Sequence, residues 1–296
     1  MADKYSVFRS VEGEALYHAA YDAVLSQWPV PYHEIRIPTR LGETHVIASG
    51  EKNLPPLLLL HPAGGGAVIW IRNIKSLSQR FRTYAIDTVS ETNKSILTRP
   101  IHMQHQRKEF AEWMLDLLNG LQIKRAFMVG NSFGGFLTLN TAFYLPERIK
   151  KIVLISPAAT FVPIPAWAWH FIPANVLGSM IGSKRMLLAP YHWIWQNFPK
   201  EACISDLRAT TALTGRPRHW SPTVFTDAEL RKIAVPVLLL IGDHEVIYRP
   251  DDAIQRATHL VPNLKAEIVL NANHIAEYTN ATVINQKILE FFSASS

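Results

Sequence analysis

Cysteine occurs once in the 296 residues, at Cys203. One thiol excludes an internal disulfide and fits a reducing compartment, and Cys203 reads as an ordinary buried thiol. Long apolar runs are missing as well. The most hydrophobic stretch, PPLLLLHPAGGGAVIW (residues 55–70), is broken by proline and three glycines inside the window a membrane helix needs. The first twenty residues, MADKYSVFRSVEGEALYHAA, contain no continuous apolar core, so no signal peptide is expected. These absences predict a soluble, cytoplasmic protein with no membrane partner.

Dense charge is also missing. The formal net charge is +6, but ERIKK (147–151) and GRPRH (215–219) are as concentrated as the basic residues become. A nucleic-acid partner needs clustered Lys and Arg to neutralise phosphates, so a solvated basic surface is the better reading. The twelve histidines show no H-E-x-x-H or Cys/His ligand spacing, and no metal site is expected. His102 and His105 could share one helix face, yet no carboxylate or cysteine partner suggests itself, and they read as surface histidines. The glycine run Gly64–Gly66 lacks the Lys-Ser/Thr of a phosphate-cradling loop.

What is present is alternation. Hydrophobic residues make up 48% of the chain, enough for one large core, and a single domain over residues 1–296 is expected. Strand-like runs recur at HEIRIP (33–38), ETHVIAS (43–49), PLLLLHP (56–62), RTYAID (82–87), RAFMVGN (125–131), KIVLISP (151–157), VPVLLLIG (235–242) and AEIVLN (266–271). Most of the later ones are separated by helical periodicity, the pattern of an α/β protein with a largely parallel sheet and helices on both faces. The clearest helix is HQRKEFAEWMLDLLNGL (105–121). There Phe110, Trp113, Met114, Leu117, Leu118 and Leu121 form one apolar stripe. A second helix, TVINQKILEFF (282–292), closes the chain.

Two segments break the alternation. Residues 9–28 read as an amphipathic helix with Leu16, Ala20, Val24 and Trp28 on its buried stripe. Residues 160–225 interrupt the strands and hold five of the eight tryptophans: Trp167, Trp169, Trp193, Trp195 and Trp220. This insertion reads as a helical cap, and the 9–28 helix is expected to pack near it.

The chemistry begins at AFMVGNSFGGFLTLN (126–140). A strand runs into Gly130-Asn131-Ser132-Phe133-Gly134 and a helix follows, which gives G-x-S-x-G the context that makes it meaningful. The glycines permit a tight turn that presents Ser132 at the carboxyl end of the sheet. A serine hydroxyl needs a base, and the base needs an orienting acid, in the order Ser, acid, His. His274 follows a late strand in NANH, and LLLIGDHEVIY (238–248) offers two acids, Asp243 and Glu245. In an extended segment both point to one side, so strand geometry does not choose between them. An oxyanion hole needs two backbone N–H groups, one from the residue after the nucleophile, Phe133. The other is expected from Ala63, with Gly64 as the alternative.

With HPAGGG, GNSFGG, GDHE and NANH in that order, the chain resembles the α/β-hydrolase superfamily over nearly its whole length, and more narrowly Bacillus-type carboxylesterases with a helical cap. The resemblance implies a mostly parallel eight-stranded sheet and no cofactor. It also implies that the acid stands three residues after the strand-ending glycine, at Glu245, where aspartate is commoner. Asp243 is then a loop residue bonding nearby backbone N–H groups, with His244 facing away. Several positions depart from the commoner pattern. Pro62 follows His61 where glycine is usual, Asn273 precedes His274, and Asp87 lacks the usual Arg-Gly continuation and reads as structural. Epoxide hydrolases and haloalkane dehalogenases have a similar outline but an aspartate nucleophile, which Ser132 argues against.

The leading expectation is a serine carboxylesterase acting on small esters with an apolar acyl or alcohol part. Its triad is Ser132, His274 and Glu245, and Gly64, Trp167, Trp169 and Trp193 are candidate pocket residues. The alternatives are a small-ligand binding or signalling protein on the same fold, or hydrolysis of C–C, thioester or lactone bonds. Natural substrate, chain-length preference, stereoselectivity and oligomeric state are not legible in the sequence.

Overall fold

A computed structural model describes residues 4–165, 177–178, 181, 183–195, 202–219 and 222–294. Among the described residues nine strands form one sheet: β1 (Tyr32–Thr39), β2 (Gly42–Ser49), β3 (Pro56–Leu60), β4 (Arg82–Ile86), β5 (Ile96–Leu97), β6 (Ala126–Asn131), β7 (Ile149–Ile155), β8 (Val237–Gly242) and β9 (Leu264–Val269). The order is β1-β2-β4-β3-β6-β7-β8-β9. The first two pairings are antiparallel and those from β4 to β9 parallel. The eight expected strands are these eight. The ninth, β5, is a two-residue strand paired antiparallel with β2, too short to carry a periodicity in the sequence.

Strands covered on both faces read as continuous apolar runs. Leu57, Leu58, Leu59 and Leu60 of β3 and Leu239 and Leu240 of β8 are accordingly fully buried. Flanking the sheet are α2 (Ile71–Leu77), α3 (Gln106–Gly120), α4 (Phe133–Tyr144) and, late in the chain, helices Pro250–Leu260 and Ala281–Ser293. The α3 stripe is buried at Phe110, Trp113, Met114, Leu117 and Leu118. Trp113 also satisfies its indole N–H on Thr44 Oγ1 at 2.8 Å, as most buried tryptophans do.

Helix α1 (Val11–Leu25) starts at Ser10, whose hydroxyl accepts the Gly13 N–H at 3.0 Å. Of the expected stripe, Val24 and Trp28 are buried and Ala20 packs against the core, but Leu16 is not part of the buried face. Tyr17, Tyr21 and Val24 are buried, whereas Leu16 is 59% exposed. Tyr21 goes inward because a polar partner awaits it there: it donates its hydroxyl to Asp87 Oδ2 at 2.9 Å.

Between β7 and β8 the described residues include α5 (Lys184–Trp195) and α6 (Ala202–Thr214). Helix α1 packs on α6, and the segment before α1 is tied to the end of α6. The Arg9 N–H donates to Thr214 O at 2.9 Å, the Arg216 N–H to Val7 O at 2.7 Å, and Arg9 Nε to Gly215 O at 3.0 Å. Cys203, on α6, is half-buried rather than fully so, because it sits on a surface helix away from the sheet. Among the described residues no helix is long and apolar enough to cross a membrane.

Candidate active site

Parallel strands in register end together, and their carboxyl ends make one edge. Leu60 of β3 pairs with Gly130 of β6, Asn131 with Ile155 of β7, Ile155 with Leu240 of β8, and Gly242 with Val269 of β9. The segments that follow these residues carry His61–Gly66, Ser132, Glu245 and His274.

Ser132 stands between β6 and α4 with φ 51° and ψ −115°, a conformation that costs a non-glycine residue of order 1–3 kcal/mol and persists only where its surroundings enforce it. Three backbone bonds do so. The Ser132 N–H donates to Ile155 O at 2.9 Å, and Ser132 O accepts from Phe136 and Ala158 N–H, both at 3.0 Å. The turn is also too tight for side chains at the neighbouring glycines. A Cβ on Gly130 would lie 2.1 Å from Gly134 O, and one on Gly134 2.1 Å from Leu60 O.

The serine Oγ is 2.8 Å from His274 Nε2, and His274 Nδ1 is 2.7 Å from Glu245 Oε2. His274 is held from behind by the Asn131 side-chain amide, which donates to its carbonyl at 2.9 Å. Asn273 places its Oδ1 under the Ile275 N–H at 3.1 Å and the Thr279 hydroxyl at 3.2 Å. Glu245 accepts the Ile247 N–H through its other oxygen at 2.9 Å. Burial alone would raise the Glu245 carboxyl, but the facing His274 and the Ile247 N–H outweigh it and hold the group below its ordinary range.

The two acids of the GDHE segment are separated by a turn, since Glu245 N–H closes onto Gly242 O at 3.2 Å. The chain after Gly242 is therefore not extended, and the two carboxylates do not share a side. Glu245 has no side-chain exposure, whereas Asp243 is 30% exposed and accepts the Ala272 N–H at 3.0 Å. His244 is exposed.

The loop after β3 is built from its own polar groups. His61 Nε2 accepts the Thr88 N–H at 3.1 Å, which places its proton on Nδ1, and Nδ1 donates to Pro62 O at 2.8 Å. Burial pushes the His61 pKa down, in keeping with a neutral ring. Pro62 O also accepts the Gly65 N–H at 2.9 Å. In a trans peptide C=O and N–H point to opposite sides, so with Pro62 O turned inward the Ala63 N–H faces away from those donors. The Gly64 N–H is already engaged by Glu91 Oε2 at 2.7 Å. Phe133 opens α4, where a helix leaves its N–H groups without intrahelical partners.

Of the candidate pocket residues, Trp193 lies on α5, half-buried against the hydrophobic core. Trp167 and Trp169 lie outside the described residues, as does Trp220. Asp87 is fully buried and accepts from Tyr21, from His45 Nδ1 at 2.8 Å and from the Ala67 N–H at 2.6 Å. His102 is not a plain surface histidine. Although 58% exposed, its Nδ1 lies 2.9 Å from Glu109 Oε1, a partner seven residues along that the helix-face reading overlooked. No group of three or more His, Cys, Asp or Glu side chains suited to a metal occurs among the described residues.

Three groups beside the loop escaped the sequence reading: Glu91, His219 and Arg208. Glu91 also bonds His219 Nε2, and Arg208 of α6 donates Nη1 to Gly64 O and, at 3.5 Å, to Ala63 O. A fourth, Glu277, is buried with no hydrogen-bond partner for either carboxylate oxygen among the described residues, and burial raises its pKa to about 8.

The family described as alpha/beta hydrolase fold matches residues 55–183. The "uncharacterized carboxylesterase nap" of Bacillus subtilis (strain 168) is 37% identical over 288 residues, 95% of this chain and 93% of that protein. The crystal structure of naproxen esterase (carboxylesterase NP) from Bacillus subtilis superposes with a TM-score of 0.87 at 35% identity, covering 96% of this chain and 100% of that one. Carboxylesterase CesB (YbfK) from Bacillus subtilis gives 0.89 at 34%, covering 97% and 100%.

Proposed function

Since this chain belongs to the α/β-hydrolase family and is a carboxylic ester hydrolase, we propose that it works through a Ser132–His274–Glu245 triad and an acyl-enzyme. The observation that carries the reading is the unbroken chain of hydrogen bonds from the Ser132 hydroxyl through both ring nitrogens of His274 to Glu245, at 2.8 and 2.7 Å.

Ser132 Oγ attacks the ester carbonyl carbon while His274 Nε2 takes the hydroxyl proton. Glu245, accepting the Nδ1–H, fixes the tautomer that leaves the Nε2 lone pair toward Ser132 and stabilises the imidazolium. The oxygen of the tetrahedral intermediate is held by the N–H groups of Phe133 and Ala63. Gly64 is set aside as a donor because its N–H is occupied by Glu91. Collapse expels the alcohol, protonated by His274, and leaves the acyl group on Ser132. Water, activated by the same histidine, attacks the acyl carbon and releases the acid.

Residues 160–225 would act as a cap that governs substrate choice, with Trp193 contributing apolar surface to the acyl or alcohol pocket. The name of the naproxen esterase points to an aryl-substituted acid as a fit for such a pocket. Two measurements test the reading. A fluorophosphonate probe is expected to label Ser132 alone, and p-nitrophenyl esters from acetate to long chains are expected to turn over at rates abolished by Ser132→Ala. An adduct on another serine, or turnover that survives Ser132→Ala, would overturn it.

A further inference from the structure

The loop at residues 61–66 has three consecutive glycines, and Gly64 sits at φ 66°, in the left-handed region that glycine enters freely. Such a segment is intrinsically free to rotate its peptide planes, yet an oxyanion donor must be preorganised before charge develops. The structure supplies the restraint from outside the loop. The peptide joining Ala63 to Gly64 is held at its N–H by Glu91 Oε2 at 2.7 Å and at its C=O by Arg208 Nη1 at 3.5 Å. The next carbonyl, Gly64 O, is bound by the same Arg208 nitrogen. Two buried side chains of opposite charge thus grip one peptide plane from its two ends, and flipping it would break both contacts.

Glu91 reaches the other half of the hole as well. Its second oxygen bonds His219 Nε2, and the His219 ring stacks on the Phe133 ring with centroids 4.3 Å apart and planes 15° from parallel. His219 is placed in turn by the backbone of its neighbour, since the Arg218 N–H donates to Ser90 O at 2.8 Å. Glu91 is itself anchored by its N–H on Thr88 O at 3.0 Å, and it is almost entirely buried. Burial would raise its carboxyl, but His219 and the Gly64 N–H outweigh this and keep the group below its ordinary range, as a charged acceptor requires.

We propose that Glu91 is a positioning residue for the oxyanion hole. Through Gly64 it sets the loop bearing the Ala63 N–H, and through His219 it sets Phe133, so one carboxylate aligns both donors. The proposal rests on the assignment of Ala63 and Phe133 as those donors. Glu91 touches no reacting atom, and its effect should fall on transition-state stabilisation rather than on substrate binding.

The experiment compares wild type with Glu91→Ala, Glu91→Gln and His219→Phe, with Ser132→Ala as reference. The readouts are kcat and KM on p-nitrophenyl butyrate and the affinity of an alkyl trifluoromethyl ketone, whose serine hemiketal places an anionic oxygen in the hole. Removing a single oxyanion donor costs about 10²–10³ in kcat, and loosening the loop is expected to approach the lower figure. Glu91→Ala should therefore lose about 10²-fold in kcat and in ketone affinity together, with KM within about threefold. Glu91→Gln should recover part of the loss, because its amide oxygen still accepts the Gly64 N–H. His219→Phe, which keeps a ring on Phe133 but cannot bond Glu91, should lose about tenfold. Should Glu91→Ala fail to fold, His219→Phe decides. Wild-type kcat and ketone affinity in a folded Glu91→Ala, or in His219→Phe, would overturn the proposal, as would a change confined to KM. If wild-type ketone binding and turnover are indifferent to Ser132→Ala, the underlying triad assignment fails instead.

Discussion

Two buried glutamates in this molecule make the same bonds and face different neighbours. Glu245 accepts one backbone N–H, from Ile247, and bonds the ring of His274; Glu91 accepts one backbone N–H, from Gly64, and bonds the ring of His219. The difference lies in the rest of each imidazole. His274 gives Nδ1 to its glutamate and presents Nε2 edge-on to the Ser132 hydroxyl, whereas His219 gives Nε2 to its glutamate and lies flat on the Phe133 ring. An imidazole presented edge-on to a hydroxyl can exchange a proton with it, whereas the face that His219 lays on Phe133 holds that ring in place. A carboxylate–histidine pair is therefore a component whose use is fixed by what the far side of the ring meets.

The comparison breaks most sharply at Glu245. Glu245→Gln is expected to lower kcat by about 10⁴, the cost of neutralising the corresponding acid in serine proteases. Asp243→Asn, two residues away and with no bond to His274 or Ser132 among those described, should stay within about tenfold of wild type. Steady-state kinetics on both folded variants check the pair, and the opposite ranking would move the triad acid to Asp243.

Glu277 sharpens it by showing a buried glutamate with neither a histidine nor a backbone donor on its carboxylate. Its folded pKa of about 8 stands above the ordinary 4.5, so between those values the folded state keeps a proton that the unfolded state has released. Stability should then fall as pH rises through that window. Glu277→Gln removes the slope and should be more stable than wild type by a few kcal/mol at pH 8, with little difference at pH 4.5. Urea denaturation at the two pH values measures this, and an equal shift at both would contradict it.

The smallest effect is expected where a carboxylate has donors to spare. Asp87 accepts from Tyr21, His45 and the Ala67 N–H, so Tyr21→Phe leaves it two and should cost about 1 kcal/mol. A thermal shift equivalent to more than about 3 kcal/mol would mean that the tyrosine hydroxyl organises the site rather than merely joining it.

The parts of this molecule written in local pattern were legible in its sequence. The eight main strands, the α3 stripe and the strand–Ser132–helix turn each occupy one short window of residues. The choice between Asp243 and Glu245 was open to the residues themselves, because it depends on a turn closing from Glu245 onto Gly242 that no alternation encodes. Leu16 of α1 departs from its expected burial for a related reason, although Val24 and Trp28 are buried as their spacing suggests. Leu16 is the more apolar residue, but Tyr21 has a polar partner waiting below it in Asp87. Glu91 and His219 were invisible, being 128 residues apart in runs without periodicity. The sole trace was a glutamate within DTVSETNKS, directly after a strand whose end faces the site.

The bonds joining residues 7–9 to residues 214–216 carry a consequence for synthesis. Arg9 leaves the ribosome 206 residues ahead of Gly215, to which its side chain donates. At translation rates of about 5–20 residues per second, that partner follows only after roughly 10–40 s. Throughout that interval the face of α1 that will meet α6 has nothing to cover it, while the sheet is still accumulating its strands. Val7 and Phe8, buried in the folded protein where they pair with Arg216 and Gly215, are then open to any chaperone that recognises exposed apolar surface. A nascent chain stalled before residue 214 should remain bound to such a holdase, and the full-length chain should let it go.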